Sequence, residues 1–208
     1  MSPSRVFLLS PARCTGARAT ALVHAPFALG EALRSEQGAP LGEVFAFVSS
    51  LYFRGKLSYA SRFATSALSV PGALVITPGH GLCRPSTRIR ASDLALIAQI
   101  EVDAGNPSFV EPLRRDAALL AQSVPPNCEL VLLGSVASPK YVEPLLGVFG
   151  ERLLFPREFV GRGDMSRGGL LLRAAREGHE LEYVPVHTSK LRGPRARRIA
   201  QLKSEGEL

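Results

Sequence analysis

The chain has 208 residues, 46% of them hydrophobic, and 25 Lys+Arg against 18 Asp+Glu give it a formal net charge of +7. A chain of this length buries roughly 70% of its extended-chain surface, enough for a core without metal or disulfide staples. Three scattered cysteines, Cys14, Cys83 and Cys128, form no CxxC or Cys/His spacing, so no zinc site is expected and a reducing cytoplasm is the default expectation.

Val6 to Leu9 reads as a short buried strand, broken by Ser10-Pro11-Ala12-Arg13-Cys14-Thr15-Gly16. The polar end of a first strand is a ligand-facing position in open α/β sheets, which makes Arg13 a candidate anion contact. Cys14 is the nearest candidate nucleophile, set against the reading of a small packing residue with no base beside it. Ala17 to Arg34 reads as helical, interrupted at Pro26. After the turn Gly38 to Gly42, Glu43 to Ala64 reads as one long amphipathic helix with Val44, Phe47, Val48 and Leu51 facing the core. Tyr52, Arg54, Lys56 and Tyr59 then mix cations with rings, and Gly55 permits a bend. Such interleaving suits phosphate contact with base stacking, or else a solvated helix face.

Ala73 to Thr77 is the clearest strand. It ends in Pro78-Gly79-His80-Gly81, where His80 is either an acid–base or phosphate-binding group or a turn residue. Thr87 to Arg90 reads as a minor strand, Ser92 or Asp93 as the cap of a helix to Ile100, and Leu113 to Gln122 as a further helix. Glu129 to Leu133 is the next buried strand, closed by Gly134-Ser135, with Pro139 opening a helix from Lys140 to Phe149. Ser135 lacks the flanking glycine of a nucleophile elbow and reads as a backbone or phosphate contact. Arg152 to Phe155 and Leu181 to Val186 supply two more strands.

The most loaded stretch is Arg157 to Arg173. Gly161, Gly163, Gly168 and Gly169 allow positive φ and close backbone approach, with Arg162, Asp164, Ser166 and Arg167 among them and a helix from Leu170. Asp164 or Ser166 can cap that helix and leave N–H groups facing an anion. The competing reading is a tight turn with solvated arginines.

Strands alternating with helices predict an α/β fold: a single three-layer domain over 1–188, with a mainly parallel four- to five-stranded sheet and helices on both faces. Residues 189–208 form a basic tail, a solvated end or an arm for phosphates. No apolar run is long enough to cross a bilayer and no signal peptide is read, so a cytoplasmic protein is expected.

Leu8-Leu9-Ser10, Ser50-Leu-Tyr-Phe-Arg-Gly-Lys-Leu57, Ile76-Thr-Pro-Gly-His-Gly-Leu82 and Leu133-Gly-Ser135 with Tyr141 together resemble small bacterial proteins related to the peroxide-stress DNA-binding proteins. Those are similar in fold to the uracil-DNA glycosylase superfamily. The resemblance implies that fold and a bias toward DNA. It transfers no catalytic residue: the Gly-x-Asp-Pro or Gly-x-Asn-Pro water-activating loop after the first strand and the late His-Pro-Ser motif are absent, and only Gly105-Asn106-Pro107, out of place, resembles the former.

The expected function is therefore a DNA glycosylase acting on a damaged or modified base, with defence against phages carrying modified DNA as one setting. A flipped nucleotide needs an electropositive cleft and a pocket lined by strand-end turns. Asp164 is the expected carboxylate, with Glu43 in reserve. Arg162, Arg167, Lys56 and Arg54 are expected to grip phosphates, Arg13 and Lys140 to contact DNA, Tyr52 to stack, and His80 or Ser135 to meet base or phosphate. The partner is DNA, duplex or single-stranded, with no cofactor, metal, membrane or obligate protein partner. The alternatives are a non-catalytic DNA-binding stress protein and a nucleoside- or nucleotide-processing enzyme.

Overall fold

The computed structural model describes residues 4–64 and 70–188; the basic tail 189–208 lies outside them. In chain order the elements are β1 (Arg5–Leu9), α1 (Ala17–Val23), α2 (Ala28–Arg34), β2 (Ala39–Pro40), α3 (Leu41–Ser49) and α4 (Leu51–Phe63). Then follow β3 (Ala73–Thr77), β4 (Gly81–Cys83), β5 (Arg88–Ile89), α5 (Ala91–Gln99), α6 (Pro107–Ser123) and β6 (Glu129–Leu133). The last are α7 (Pro139–Phe149), β7 (Leu153–Pro156), α8 (Asp164–Glu177) and β8 (Tyr183–Pro185).

Val6 to Leu9 are wholly buried, as suits a strand apolar on both faces. β1 accordingly lies inside a six-stranded sheet of order β4-β3-β1-β6-β7-β8. It pairs in parallel with β3 on one side and β6 on the other, and β7 continues in parallel beyond β6. β4 and β8 close the two edges antiparallel. The expected mainly parallel sheet is thus present, with six strands because Gly81–Cys83 adds an edge that its length hid. β2 and β5 form a separate antiparallel pair.

The chain leaves β1 for β3 on one side and returns past it to β6 on the other. Right-handed crossovers of opposite direction put helices on opposite faces: α4 and α8 pack together, as do α6 and α7. The same reversal opens a crevice beyond the carboxyl ends of β1 and β6, the ligand position of open α/β sheets.

The expected single helix from Glu43 to Ala64 is two. Ser50 takes φ 53, ψ −122, the one non-glycine residue of positive φ among those described, and separates α3 from α4. Gly55 therefore marks a helix crossing and no bend. A Cβ there would stand 2.6 Å from the Gly168 carbonyl oxygen, and a Cβ on Gly168 would stand 2.8 Å from Tyr52 Cα. Gly168 and Gly169 lie inside α8, which starts at Asp164, six residues before the apolar run that signals it. Only Gly161 of the four glycines in that stretch has positive φ.

A polar cluster at the amino ends of the strands ties the C-terminal edge to the centre. Tyr59 and Tyr183 share a hydrogen bond of 2.6 Å between hydroxyls, Tyr59 accepts from Leu181 N, and Arg5 bonds both Glu129 and Glu180 while lying over the Tyr183 ring. No helix among the described residues is long and apolar enough to cross a membrane.

Candidate functional site at the carboxyl ends of the parallel strands

The crevice between β1 and β6 holds a cleft of about 540 Å³, within the roughly 300–1,000 Å³ of small-ligand sites. Its floor is the segment after β1, Ser10 to Thr15. One wall is Ser135, Lys140 and Tyr141 from β6 into α7, and another is Ile97 to Val102 at the end of α5. Tyr52 of α4 and Asp164 at the start of α8 complete it. The floor and the β6 wall meet closely: Ser10 N donates to Leu133 O at 3.2 Å. A Cβ on Gly134 would stand 3.0 Å from that of Ser10, so a side chain at 134 would push the two strand ends apart.

Five of the residues expected from sequence converge here: Asp164, Arg13, Tyr52, Ser135 and Lys140. Arg13 is exposed and donates to Thr15 Oγ1 at 3.1 Å. Lys140 Nζ lies 5.2 Å from the centroid of the Tyr141 ring. Ser135 Oγ accepts from Ala137 N at 3.3 Å, holding the loop that leads into α7. Asp164 is exposed and is the first residue of α8; Gly163 takes the N-cap position and no side chain caps the helix.

Two expected phosphate contacts are corrected by burial. Lys56 is 0% exposed. On α4 the positions 52, 53, 56, 59 and 60 are buried while 54, 58 and 61 face solvent, so helical spacing carries Lys56 inward with the tyrosines. Its Nζ donates to Ser10 O at 2.5 Å and to Ser10 Oγ at 2.9 Å, and stands 4.4 Å from the Tyr52 ring centroid. Burial lowers its pKa to about 7, against a smaller opposing pull from the Asp164 charge. Lys56 thus holds the floor of the cleft from beneath. Arg167 is also buried: Nε and Nη2 donate to Phe159 O, and Nη1 lies 3.6 Å from Asp164 Oδ1. It anchors the loop before α8 and steadies the carboxylate.

Tyr52 is corrected in role. Its ring is packed beneath Lys56 and edge-on to Phe159, and the residue is 7% exposed, so no base can stack on it. Its hydroxyl is buried and makes no hydrogen bond of good geometry, although the Arg167 guanidinium is close enough to act on it. Burial raises its pKa to about 12; the Arg167 guanidinium pulls it down and the Asp164 charge pushes it up.

The remaining expected residues stand outside the cleft lining. His80 is exposed on the turn after β3, Arg54 on α4 and Glu43 on α3. Arg162 is exposed and donates to Ser166 Oγ at 3.2 Å. Cys14 does line the floor, but burial raises its thiol to about 12, so it stays protonated and packs as a small side chain.

Tyr141 and Glu101 are lining residues that sequence reasoning did not assign. Tyr141 follows the strand-end turn by six residues, and its burial raises its hydroxyl pKa. Glu101 makes Asp164 one of two acids at the cleft. The Asp164 charge acts on Tyr52, Lys56 and Tyr141. No family model matches the chain, and neither a curated protein nor a solved structure is significantly similar to it.

Proposed function

We propose that this chain hydrolyses the N-glycosidic bond of a damaged or modified nucleotide in DNA. The observation that carries the reading is that Asp164, whose charge acts on the Tyr52 hydroxyl, lines one cleft together with Tyr52, Arg13 and Lys140. Arg13 and Lys140 suit a phosphate, and the half-buried Pro11, Ile100 and Val102 supply apolar wall for a base or sugar. In N-glycosidic hydrolysis the C1′–N bond breaks, its electron pair leaves with the base, and water oxygen adds to C1′. Positive charge develops on the sugar, where a carboxylate stabilises it and accepts the water proton. The +7 charge of the chain favours a polyanionic substrate, and the resemblance to the DNA-binding and glycosylase-like proteins points the same way.

A free nucleotide is the second reading. It is favoured by one observation: Arg13 and Lys140 are the only cations among the described residues that line the cleft, with Arg54 and Arg162 elsewhere. One assay separates the two. A panel of oligonucleotides carrying single modified bases, scored for abasic sites, is run beside free deoxynucleotides scored for released base. Abasic sites support the DNA reading, and base released only from mononucleotides replaces it with the second. Release from neither overturns both. Duplex affinity should also fall with salt at a log–log slope of about 0.9 per phosphate contact.

A further inference from the structure

Tyr52 combines three features to which the chemistry above gives no role. The side chain is almost wholly buried, its hydroxyl makes no hydrogen bond of good geometry although the Arg167 guanidinium, itself only a donor, acts on it, and the residue lines the cleft that Asp164 also lines. A buried hydroxyl without a well-formed hydrogen bond costs stability, on the order of 1–3 kcal/mol, and such a group calls for an explanation, of which a catalytic role is one. Its surroundings fix it as a donor. With its pKa near 12 the phenol keeps its proton through the physiological range. The ring cannot swing away, because Lys56 stands over its face and Phe159 against it.

We propose that the Tyr52 hydroxyl donates the hydrogen bond that stabilises the departing base. This rests on the N-glycosidic reading. As the C1′–N bond breaks, negative charge collects on the base, and a fixed O–H aimed at the acceptor atom holds it until solvent supplies a proton. Asp164 then serves the sugar and Tyr52 the leaving group, from adjacent sites. A donor preorganised toward developing negative charge is worth roughly 100- to 1,000-fold in rate.

Tyr52→Phe removes one oxygen and no packing. The variant is expected to be at least as stable as the wild type, since an unpaired buried polar atom disappears. On the best substrate of the panel kcat is expected to fall about 100-fold with KM nearly unchanged. The loss should be largest for bases whose anions are most basic. Undiminished kcat, or the same loss for every base, overturns the assignment. A second measurement needs no turnover: tyrosines labelled with carbon-13 at Cζ, the Tyr52 signal assigned by its absence in the variant, titrated with deoxyuridine 5′-monophosphate and with deoxyribose 5-phosphate. A shift with the first alone supports contact to the base; shifts with both, or with neither, overturn it. Because this arm is independent of hydrolysis, a base-specific shift in a protein that releases no base would remove the glycosidic reading and keep the Tyr52 contact.

Discussion

Replacing Gly168 by valine is expected to destabilise the protein by more than about 3 kcal/mol. A Cβ at this position would meet Tyr52 Cα at 2.8 Å and the Leu51 carbonyl carbon and oxygen at 2.9 Å. These are backbone atoms, so no rotamer change relieves the clash and the two helices must separate. α8 carries Asp164 and α4 carries Tyr52, so the same separation widens the cleft between the two groups of the proposed chemistry. Gly169 is the internal control. Nothing lies within 4 Å of a Cβ there, and Gly169→Ala should stabilise α8 by up to about 1 kcal/mol. Urea unfolding of both variants tests the pair. Similar midpoints for the two would show that the crossing is not as close as the structure has it.

Lys56→Met is expected to change how stability depends on pH. Burial depresses the folded-state pKa of Lys56 to about 7 from 10.5. Between those values the unfolded chain holds a proton on Lys56 that the folded chain has released. Stability therefore rises as pH climbs from about 7 toward 10.5, and the gain is lost as pH falls back to 7. One proton of difference amounts to at most about tenfold in the folding constant per pH unit. Methionine keeps the length and apolar stem and has no proton to lose. The difference in unfolding free energy, wild type minus variant, should grow across pH 7–10, because the other titrations are common to both proteins. Parallel curves would mean that Lys56 is not held in this environment. The variant also leaves Ser10 O and Oγ without their donor, so at pH 6 its stability reflects relief of a buried charge set against that loss.

Much of this architecture was legible in the residues. The runs Val6–Leu9, Ala73–Thr77 and Glu129–Leu133 are too apolar for anything but interior strands, and polar breaks follow each. Read as ligand-facing strand ends, those breaks pointed to Arg13, Ser135 and Lys140, which line the cleft, and to His80, which does not. What misled was charge read without spacing. Lys56 follows Tyr52 by four and precedes Tyr59 by three, a buried stripe on any helix, yet its charge suggested a phosphate contact. Arg167 sits four residues before Leu171 on the same kind of face. The glycines at 168 and 169 read as loop because glycine is a poor helix former; at 168 the close approach of α4 outweighs that preference. The break at Ser50 had no signal, since serine at positive φ is imposed by packing of α3 on α4 and not by its own propensity. Glu101 was missed because the segment after α5 reaches the cleft only through the assembled fold, and Tyr141 because only the charge of its neighbour Lys140 drew a ligand reading.

The central claim is that Asp164 acts on a glycosidic bond in this cleft, and the most direct measurement compares Asp164→Asn with the wild type and with Glu101→Gln. Free base released from the best oligonucleotide of the panel is quantified under single-turnover conditions, with affinity measured on the same strand. The asparagine variant should bind with little change and release base at least about 100-fold more slowly, while the Glu101 variant stays near wild type. Equal release by Asp164→Asn, or loss only in Glu101→Gln, would contradict the account.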